Sequence, residues 1–224
     1  RIPMDATVTE ETLQAMEARL PVAAGLLPSR FGFDAIGYAC TSGATLIGAN
    51  RVAAAIATEH PNVPCTDPIT AAVAAFATLA ATLRARRVDT TLFYGGRRAD
   101  DLFHLDTFES LGVHLRLATD DGSRGDHGNV TVPLRRAFAS TDRTTPVRLY
   151  ACGPTPMMWA VSELAASEGR ATEVSLEQVM GCGLGGCYSC VVPVRGPDGT
   201  HFVRSCLDGP TFDGGSVVWE QLGE

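Results

Sequence analysis

The chain has 224 residues, of which 45% are hydrophobic and 23 are glycine, a composition that suits one large or two modest α/β domains. The formal net charge of −7, without a basic stripe, argues against nucleic acid or an anionic membrane as a partner. The sequence contains no run of 18 apolar residues, so no membrane span is predicted. Seven cysteines and no secretory signal predict a protein of the reducing cytoplasm, with its thiols free.

Helices and strands are predicted to alternate along most of the chain. The apolar periodicity and the turn residues predict, in order, a helix capped by Thr9, a strand at 33–40, helices at 50–59 and 68–87, a strand at 90–94, a helix near 100–110, a strand at 113–118, a helix at 130–139, a strand at 147–152, a helix at 156–168 and a short strand near 172–176. This order is typical of an α/β fold with a parallel, doubly wound (Rossmann-like) sheet. The last part of the chain breaks the alternation and predicts a small separate module.

The first predicted strand ends at Cys40 and leads into the turn Thr41-Ser42-Gly43. The N–H and hydroxyl groups of such a turn predict a carboxylate site, although a cysteine at the end of an apolar strand is also commonly buried and inert. Around Gly37–Gly43, residues 1–88 resemble the maleate isomerase and arylmalonate decarboxylase group of the aspartate/glutamate racemase superfamily. The resemblance implies that Cys40 is a catalytic nucleophile or proton carrier. The second catalytic cysteine of that group has no counterpart here.

Three later strands also end in glycine-containing turns. The strand at 90–94 leads into Gly95-Gly96-Arg97, the strand at 113–118 into residues 119–123, and the strand at 147–152 into a Gly-Pro turn that opens a helix. The arginines of the first turn either meet a phosphate or are merely solvated. Cys152, at the end of the third strand, is either a site residue or a small core residue.

Four cysteines lie in the last quarter of the chain: Cys182, Cys187, Cys190 and Cys206. The first three have the spacing C-x4-C-x2-C, and fifteen residues separate the third from the fourth. This spacing is typical of a loop around an iron–sulfur cluster. Structural zinc is an alternative with the same ligands, but it usually takes paired C-x2-C knuckles, and only one such pair is present. Disulfides are a further alternative that the absence of a secretory signal disfavours.

The residues between these cysteines fit a tight loop followed by a hairpin. Glycines at 181, 183, 185 and 186 allow positive φ and bring N–H groups close to the cluster sulfides. Strands at 191–194 and 201–204, joined by a turn at 196–199, are predicted to return the fourth cysteine to the loop.

These residues carry a second resemblance. The stretches Leu176–Val194 and Phe202–Trp219, with residues 85–224 as a whole, resemble the electron-transfer subunit of dihydroorotate dehydrogenase, in the ferredoxin-reductase-like superfamily. The resemblance implies a [2Fe–2S] cluster on the four cysteines and a flavin-containing dehydrogenase subunit as partner. It also implies an oxidoreductase component, not catalytic alone, that passes electrons between flavin and NAD in pyrimidine biosynthesis.

The same resemblance implies a nucleotide site at the three strand ends. Its candidate cofactor-binding residues are Gly95, Gly96, Arg97, Asp120, Gly122, Ser123, Cys152, Gly153 and Pro154. In that family FAD binds to an N-terminal β-barrel, and this sequence has neither a counterpart of the barrel nor the R-x-Y-S/T flavin signature. NAD is therefore an expected ligand, whereas FAD is expected on a partner.

The two resemblances together predict a chimera joined within the alanine-rich helix. The expected segments are an isomerase-like part at 1–88, a nucleotide-binding part at 89–170 and a [2Fe–2S]-binding module at 171–224. Two functions remain open: an electron-transfer subunit, or a cysteine-dependent isomerase or decarboxylase acting on a small dicarboxylate. A chimera that catalyses nothing is a third possibility.

Overall fold

The computed structural model describes residues 9–28, 30–176 and 178–222. The chain divides into two compact units. The first holds the described residues up to Thr90 together with His104–Val113, and the second holds Thr91–Phe103 and the described residues from His114 onward.

Helices and strands alternate as the sequence predicts. The α-helices are α1 Glu10–Gln14, α2 Leu20–Gly25, α3 Thr41–Ile47, α4 Ala49–Ala57, α5 Pro68–Ala85, α6 Leu105–Ser110, α7 Thr131–Ser140, α8 Thr155–Ser167 and α9 Ser205–Asp208. The strands are β1 Ile36–Gly37, β2 Cys65–Thr66, β3 Thr91–Gly96, β4 His114–Thr119, β5 Asp126–His127, β6 Arg148–Cys152, β7 Ala171–Ser175, β8 Val191–Gly196, β9 Gly199–Arg204 and β10 Thr211–Asp213. Within the described ranges, no helix is both long and apolar enough to cross a membrane.

The helix predicted after Thr9 is present in the first unit as two shorter helices, α1 and α2. Thr9 caps α1 by accepting a hydrogen bond from the Thr12 N–H, and the predicted apolar stripe of Leu13, Met16 and Leu20 is buried. A short 3₁₀ segment at Glu17–Arg19 separates α1 from α2, so the stripe runs over two helices rather than one.

The strand predicted at 33–40 is wrong in length. Within this range the strand covers only the two residues of β1, which pair in parallel with β2, Ile36 with Cys65 and Gly37 with Thr66. The predicted turn at 41–43 is the first turn of α3, because the Cys40 sulfur accepts a hydrogen bond from the Gly43 N–H and so starts the helix.

The second unit is built on two small sheets, and the predicted parallel α/β fold is confirmed. In one sheet β3, β4 and β5 run parallel, and in the other β6 and β7 are parallel while β10 is antiparallel to β7. The sequence does not predict β10, which lies beyond the cysteine loop at 181–190. Apolar residues of α7 and α8 pack with those of the sheets, with Val161 and Leu164 of α8 buried beside Leu134 of α7.

The predicted hairpin near the C-terminal end is also confirmed. Strands β8 and β9 pair antiparallel from Val191 opposite Arg204 to Gly196 opposite Gly199, so that Pro197 and Asp198 form the turn. Val192 and Val194 are buried in the core of the second unit. This packing fixes β8, the strand that directly follows the cysteine loop.

Candidate metal centre

The four cysteines of the motif lie at the open end of the β8–β9 hairpin, three before β8 and one after β9. Cys182 and Cys187 are exposed in the loop before β8, Cys190 is buried directly before it, and Cys206 is half-buried in α9. The Ser205 N–H donates to the Cys190 carbonyl at 2.9 Å, and the Cys190 and Cys206 sulfurs lie 3.2 Å apart. The hairpin thus returns Cys206 to the loop.

Backbone N–H groups point at the sulfurs of the loop. Those of Leu184 and Gly186 each lie 3.3 Å from the Cys182 sulfur, and the Cys182 N–H lies 3.3 Å from the Cys187 sulfur. Donors at these positions favour thiolates, which are the form that binds metal.

Glycine is required at several positions of this loop. At Gly181 a Cβ would lie 2.7 Å from both the Cys187 sulfur and the Ser189 hydroxyl oxygen. Gly183 and Gly185 adopt positive φ, of 65° and 81°. At Gly186 a Cβ would meet nothing within 4 Å, so its role is limited to its N–H group.

The pKa values of Cys187, Cys190 and Cys206 follow their contacts. The pKa of Cys187 is lowered to about 6, first by the Ser189 hydroxyl and then by the N–H groups of Ser189 and Cys182. The pKa of Cys190 is lowered mainly by the N–H and thiol of Cys206, whereas the pKa of Cys206 is raised mainly by its hydrogen bond to Cys190. Both sulfurs must be thiolates to bind metal, so metal binding releases the proton that lies between them.

The described hydrogen bonds and contacts group the four cysteines into two sets. Across the described ranges, no three His, Cys, Asp or Glu side chains surround one point as ligands of a single ion. In one set, the backbone N–H of Cys182 donates a hydrogen bond to the Cys187 sulfur. In the other set, the sulfurs of Cys190 and Cys206 are in direct contact. A two-iron cluster divides four thiolates between its irons, whereas structural zinc gathers all four on one ion. The donor set and its division fit a two-iron cluster.

Arg204, at the end of β9, is a residue of this site that the sequence does not predict. Its guanidinium donates to the Gly185 carbonyl at 2.5 Å and lies 4.7 Å from the centre of the Tyr188 ring. These contacts tie the end of the hairpin to the cysteine loop. The sequence holds no signal for this role, because an arginine at the end of an exposed strand is usually solvated.

The turns after β3 and β4 come together. The Asp120 N–H donates to the Gly96 carbonyl at 3.1 Å, and the Ser123 hydroxyl oxygen accepts from the Ala99 N–H at 2.8 Å. Gly122 has a φ of 72°, and a Cβ on Gly96 would lie 3.1 Å from the side chain of Asp101. Both turns therefore stand at the carboxyl edge of one parallel sheet, where ligands bind in such folds.

Two charged residues frame these turns. Arg97 is exposed and lies 3.6 Å from Asp101. Asp121, which sequence analysis did not select, accepts from the Ser123 N–H and hydroxyl, and these bonds lower its pKa. Its sequence signal was the Asp-Gly-Ser turn, in which an aspartate bonds two residues onward.

The third predicted turn, Gly153-Pro154, follows β6, which pairs in parallel with β7. Cys152 is the last residue of β6 and is exposed, so it is not a small core residue. Gly153 has a φ of 149°, and a Cβ there would lie 2.6 Å from the end of the Met157 side chain. Pro154 precedes α8, which completes the predicted strand, turn and helix.

Cys40 lies in the first unit, at the start of α3. It is half-buried, and its sulfur lies 3.4 Å from the Gly43 N–H. The neighbouring Tyr38 is buried, and burial raises its pKa. The side chains of Thr41 and Ser42, which the predicted carboxylate site needs, lie outside the described residues.

Residues 177–218 match the family described as the iron–sulfur cluster binding domain of dihydroorotate dehydrogenase B. The C-terminal module matches a cluster-binding domain. All four cysteines of the motif lie within the matched residues. The match supports a [2Fe–2S] cluster as the cofactor of this module.

Relatives extend the similarity beyond the module. The chain is 39% identical over 140 residues to the electron transfer subunit of dihydroorotate dehydrogenase B (NAD(+)) from Geobacillus thermodenitrificans, over 62% of this chain and 51% of the relative. The same subunit from Desulforamulus reducens is 34% identical over 134 residues, covering 60% of this chain and 50% of the relative. The predicted resemblance to this subunit is confirmed, and the chain spans about half the length of the curated relatives it matches.

A solved structure agrees with these relatives. A chain from the structure of NADH-dependent reduced ferredoxin-NADP oxidoreductase aligns with a TM-score of 0.56 and 31% identity, over 67% of this chain and 51% of that one. This likeness agrees with the ferredoxin-reductase-like fold that the sequence predicts.

Proposed function

We propose that the chain is the electron-transfer component of a dihydroorotate dehydrogenase-like oxidoreductase of pyrimidine biosynthesis, located in the cytoplasm. Cys182, Cys187, Cys190 and Cys206 hold the [2Fe–2S] cluster, which supplies one-electron chemistry between a flavin and NAD. The observation that carries the proposal is that the motif cysteines flank one end of the hairpin, with the Cys190 and Cys206 sulfurs in contact and N–H donors aimed at the other two sulfurs.

The surface of the cluster module supports a protein partner. Several large apolar side chains of the module are exposed: Val179, Met180, Leu184, Tyr188, Phe202 and Leu207. Leu207 also packs against the loop, because a Cβ on Gly185 would lie 2.5 Å from it. Exposed apolar groups concentrated in one small module are typical of an interaction surface. We infer that a flavin-containing dehydrogenase subunit docks here, close to the cysteine loop.

The strand ends support a nucleotide. The turns after β3 and β4 are joined by the Ala99–Ser123 hydrogen bond, and the exposed Arg97 offers a cation for a phosphate. Cys152, Gly153 and Pro154 present a second open strand end. We infer that these residues bind NAD, which the names of the relatives mention.

Replacing a single cysteine tests the proposed ligand set. Protein prepared anaerobically is expected to show the visible absorption of an oxidised [2Fe–2S] cluster, and Cys187→Ser is expected to lose it. Cys65→Ser is the matched control, because Cys65 is a free cysteine of the first unit, and its spectrum should remain that of the wild type. A Cys187→Ser protein with an unchanged spectrum would contradict this ligand.

The isomerase-like function of residues 1–88, the chimera and the boundaries at 88 and 170 remain predictions. One observation favours a reactive Cys40, namely the Gly43 N–H bond to its sulfur. We expect iodoacetamide to modify Cys40 at most a few-fold faster than a free thiol, and maleate to remain unchanged. Conversion of maleate to fumarate by the wild type, lost in Cys40→Ala and retained in Cys65→Ala, would instead establish the isomerase.

A further inference from the structure

Ser189 lies within the C-x2-C segment, between the proposed ligands Cys187 and Cys190. Its hydroxyl oxygen is 3.1 Å from the Cys187 sulfur and accepts a hydrogen bond of 2.8 Å from the Gly181 N–H. Gly181 is packed so closely that a Cβ there would lie 2.7 Å from both partners. The three groups therefore hold one another in place.

The direction of the contact between Ser189 and Cys187 follows from the state of the sulfur. A hydroxyl donates one hydrogen bond and accepts others, whereas a thiolate only accepts. The Gly181 N–H already occupies an acceptor position on the Ser189 oxygen, and the hydroxyl proton is left for the sulfur. Since a metal-bound cysteine is a thiolate, Ser189 is the donor when Cys187 is a ligand.

We propose that Ser189 is a positioning residue that raises the reduction potential of the cluster through an O–H···S hydrogen bond to Cys187. This inference rests on the proposed function, because it needs the cluster. Hydrogen bonds to the sulfurs help set the potentials of iron–sulfur clusters. Reduction adds negative charge, so a donor stabilises the reduced state more than the oxidised one.

The test is a redox titration of the cluster-loaded protein, followed by electron paramagnetic resonance. At the midpoint potential of the wild type, the ratio of reduced to oxidised cluster in Ser189→Ala is expected to be three- to tenfold lower than in the wild type. A tenfold change corresponds to a shift of about 59 mV in the midpoint potential for one electron. Ser189→Thr keeps the hydroxyl and should remain near the wild type. Ser216→Ala is the matched control, because the Ser216 hydroxyl donates to the Asp213 carbonyl rather than to a sulfur.

The outcomes separate this inference from the proposed function. A Ser189→Ala midpoint equal to that of the Ser216→Ala control overturns the role of Ser189 and leaves the cluster assignment intact. Ser189→Gly provides a second variant without the hydroxyl, and failure of both to hold a cluster overturns the inference in favour of a structural role. Wild-type protein without iron and sulfide overturns the proposed function and this inference together.

Discussion

Gly181→Ala is the substitution with the most specific expected effect on the cysteine loop. The added methyl group would lie 2.7 Å from the Cys187 sulfur and from the Ser189 hydroxyl oxygen, whereas ordinary contacts begin at 3.4 Å. Both neighbours must therefore retreat by about 0.7 Å. That movement lengthens the 2.8 Å bond from the Gly181 N–H to Ser189 and displaces the thiol of a proposed ligand.

The size of the effect follows from the cost of overpacking. Forcing a methyl group into a packed site costs about 1–3 kcal/mol. The loop is exposed and opens more readily than a core, so we expect about 1–2 kcal/mol, which lowers the affinity for the cluster roughly 5- to 30-fold. The three atoms nearest to this methyl group belong to Cys187 and Ser189, which are exposed, and not to the buried core of the module, so the thermal unfolding of the module should change little.

Gly186→Ala is the matched control for this substitution. A Cβ on Gly186 meets nothing within 4 Å, and its N–H group is retained in the variant. The assay measures iron and acid-labile sulfide per chain, together with the rate at which a chelator bleaches the visible absorption. Gly181→Ala should lose its cluster several-fold faster than Gly186→Ala. Equal bleaching rates for the two variants would refute the packing argument at Gly181.

Three further predictions address charge, docking and nucleotide binding. In cluster-free protein, the rate of Cys187 alkylation, measured by peptide mass spectrometry, should reach half its maximum near pH 6, because the pKa of the Cys187 thiol is lowered to about 6. Burial raises the pKa of the Cys65 thiol, so Cys65 should react only at a higher pH than an ordinary thiol. Leu184 is 86% exposed, and Leu184→Lys should weaken binding of the flavin-containing subunit at least tenfold in calorimetry without changing the iron content. Leu26→Lys, at an exposed leucine of the first unit, should leave this binding unchanged. Arg97→Ala should raise the dissociation constant for NADH about five- to tenfold without altering stability, whereas Arg143→Ala, at a similarly exposed and ion-paired arginine, should leave it unchanged.

The features that sequence predicted best are those written in short stretches of chain. The spacing of Cys182, Cys187 and Cys190 and the turn at 196–199 are local, so the loop and the hairpin followed from them. The burial of Leu13, Met16 and Leu20 followed from helical periodicity in the same way. Such patterns need no knowledge of the rest of the fold.

The features that sequence missed depend on distant partners. Arg204 is recognised only once the hairpin brings it to Gly185, and β10 only once it pairs with β7. The strand at 33–40 was predicted too long because its length is set by the two-residue partner strand β2. Ser189 lay inside the motif, but its contact with Cys187 appears only when the loop is closed.

Metal analysis of the wild-type protein tests the central claim most directly. The protein is purified anaerobically from cells with ample iron, and iron, acid-labile sulfide and zinc are measured per chain. Four cysteines divided into two sets predict two irons and two sulfides per chain, with little zinc. One zinc per chain without sulfide would contradict the assignment and make the site a structural zinc centre.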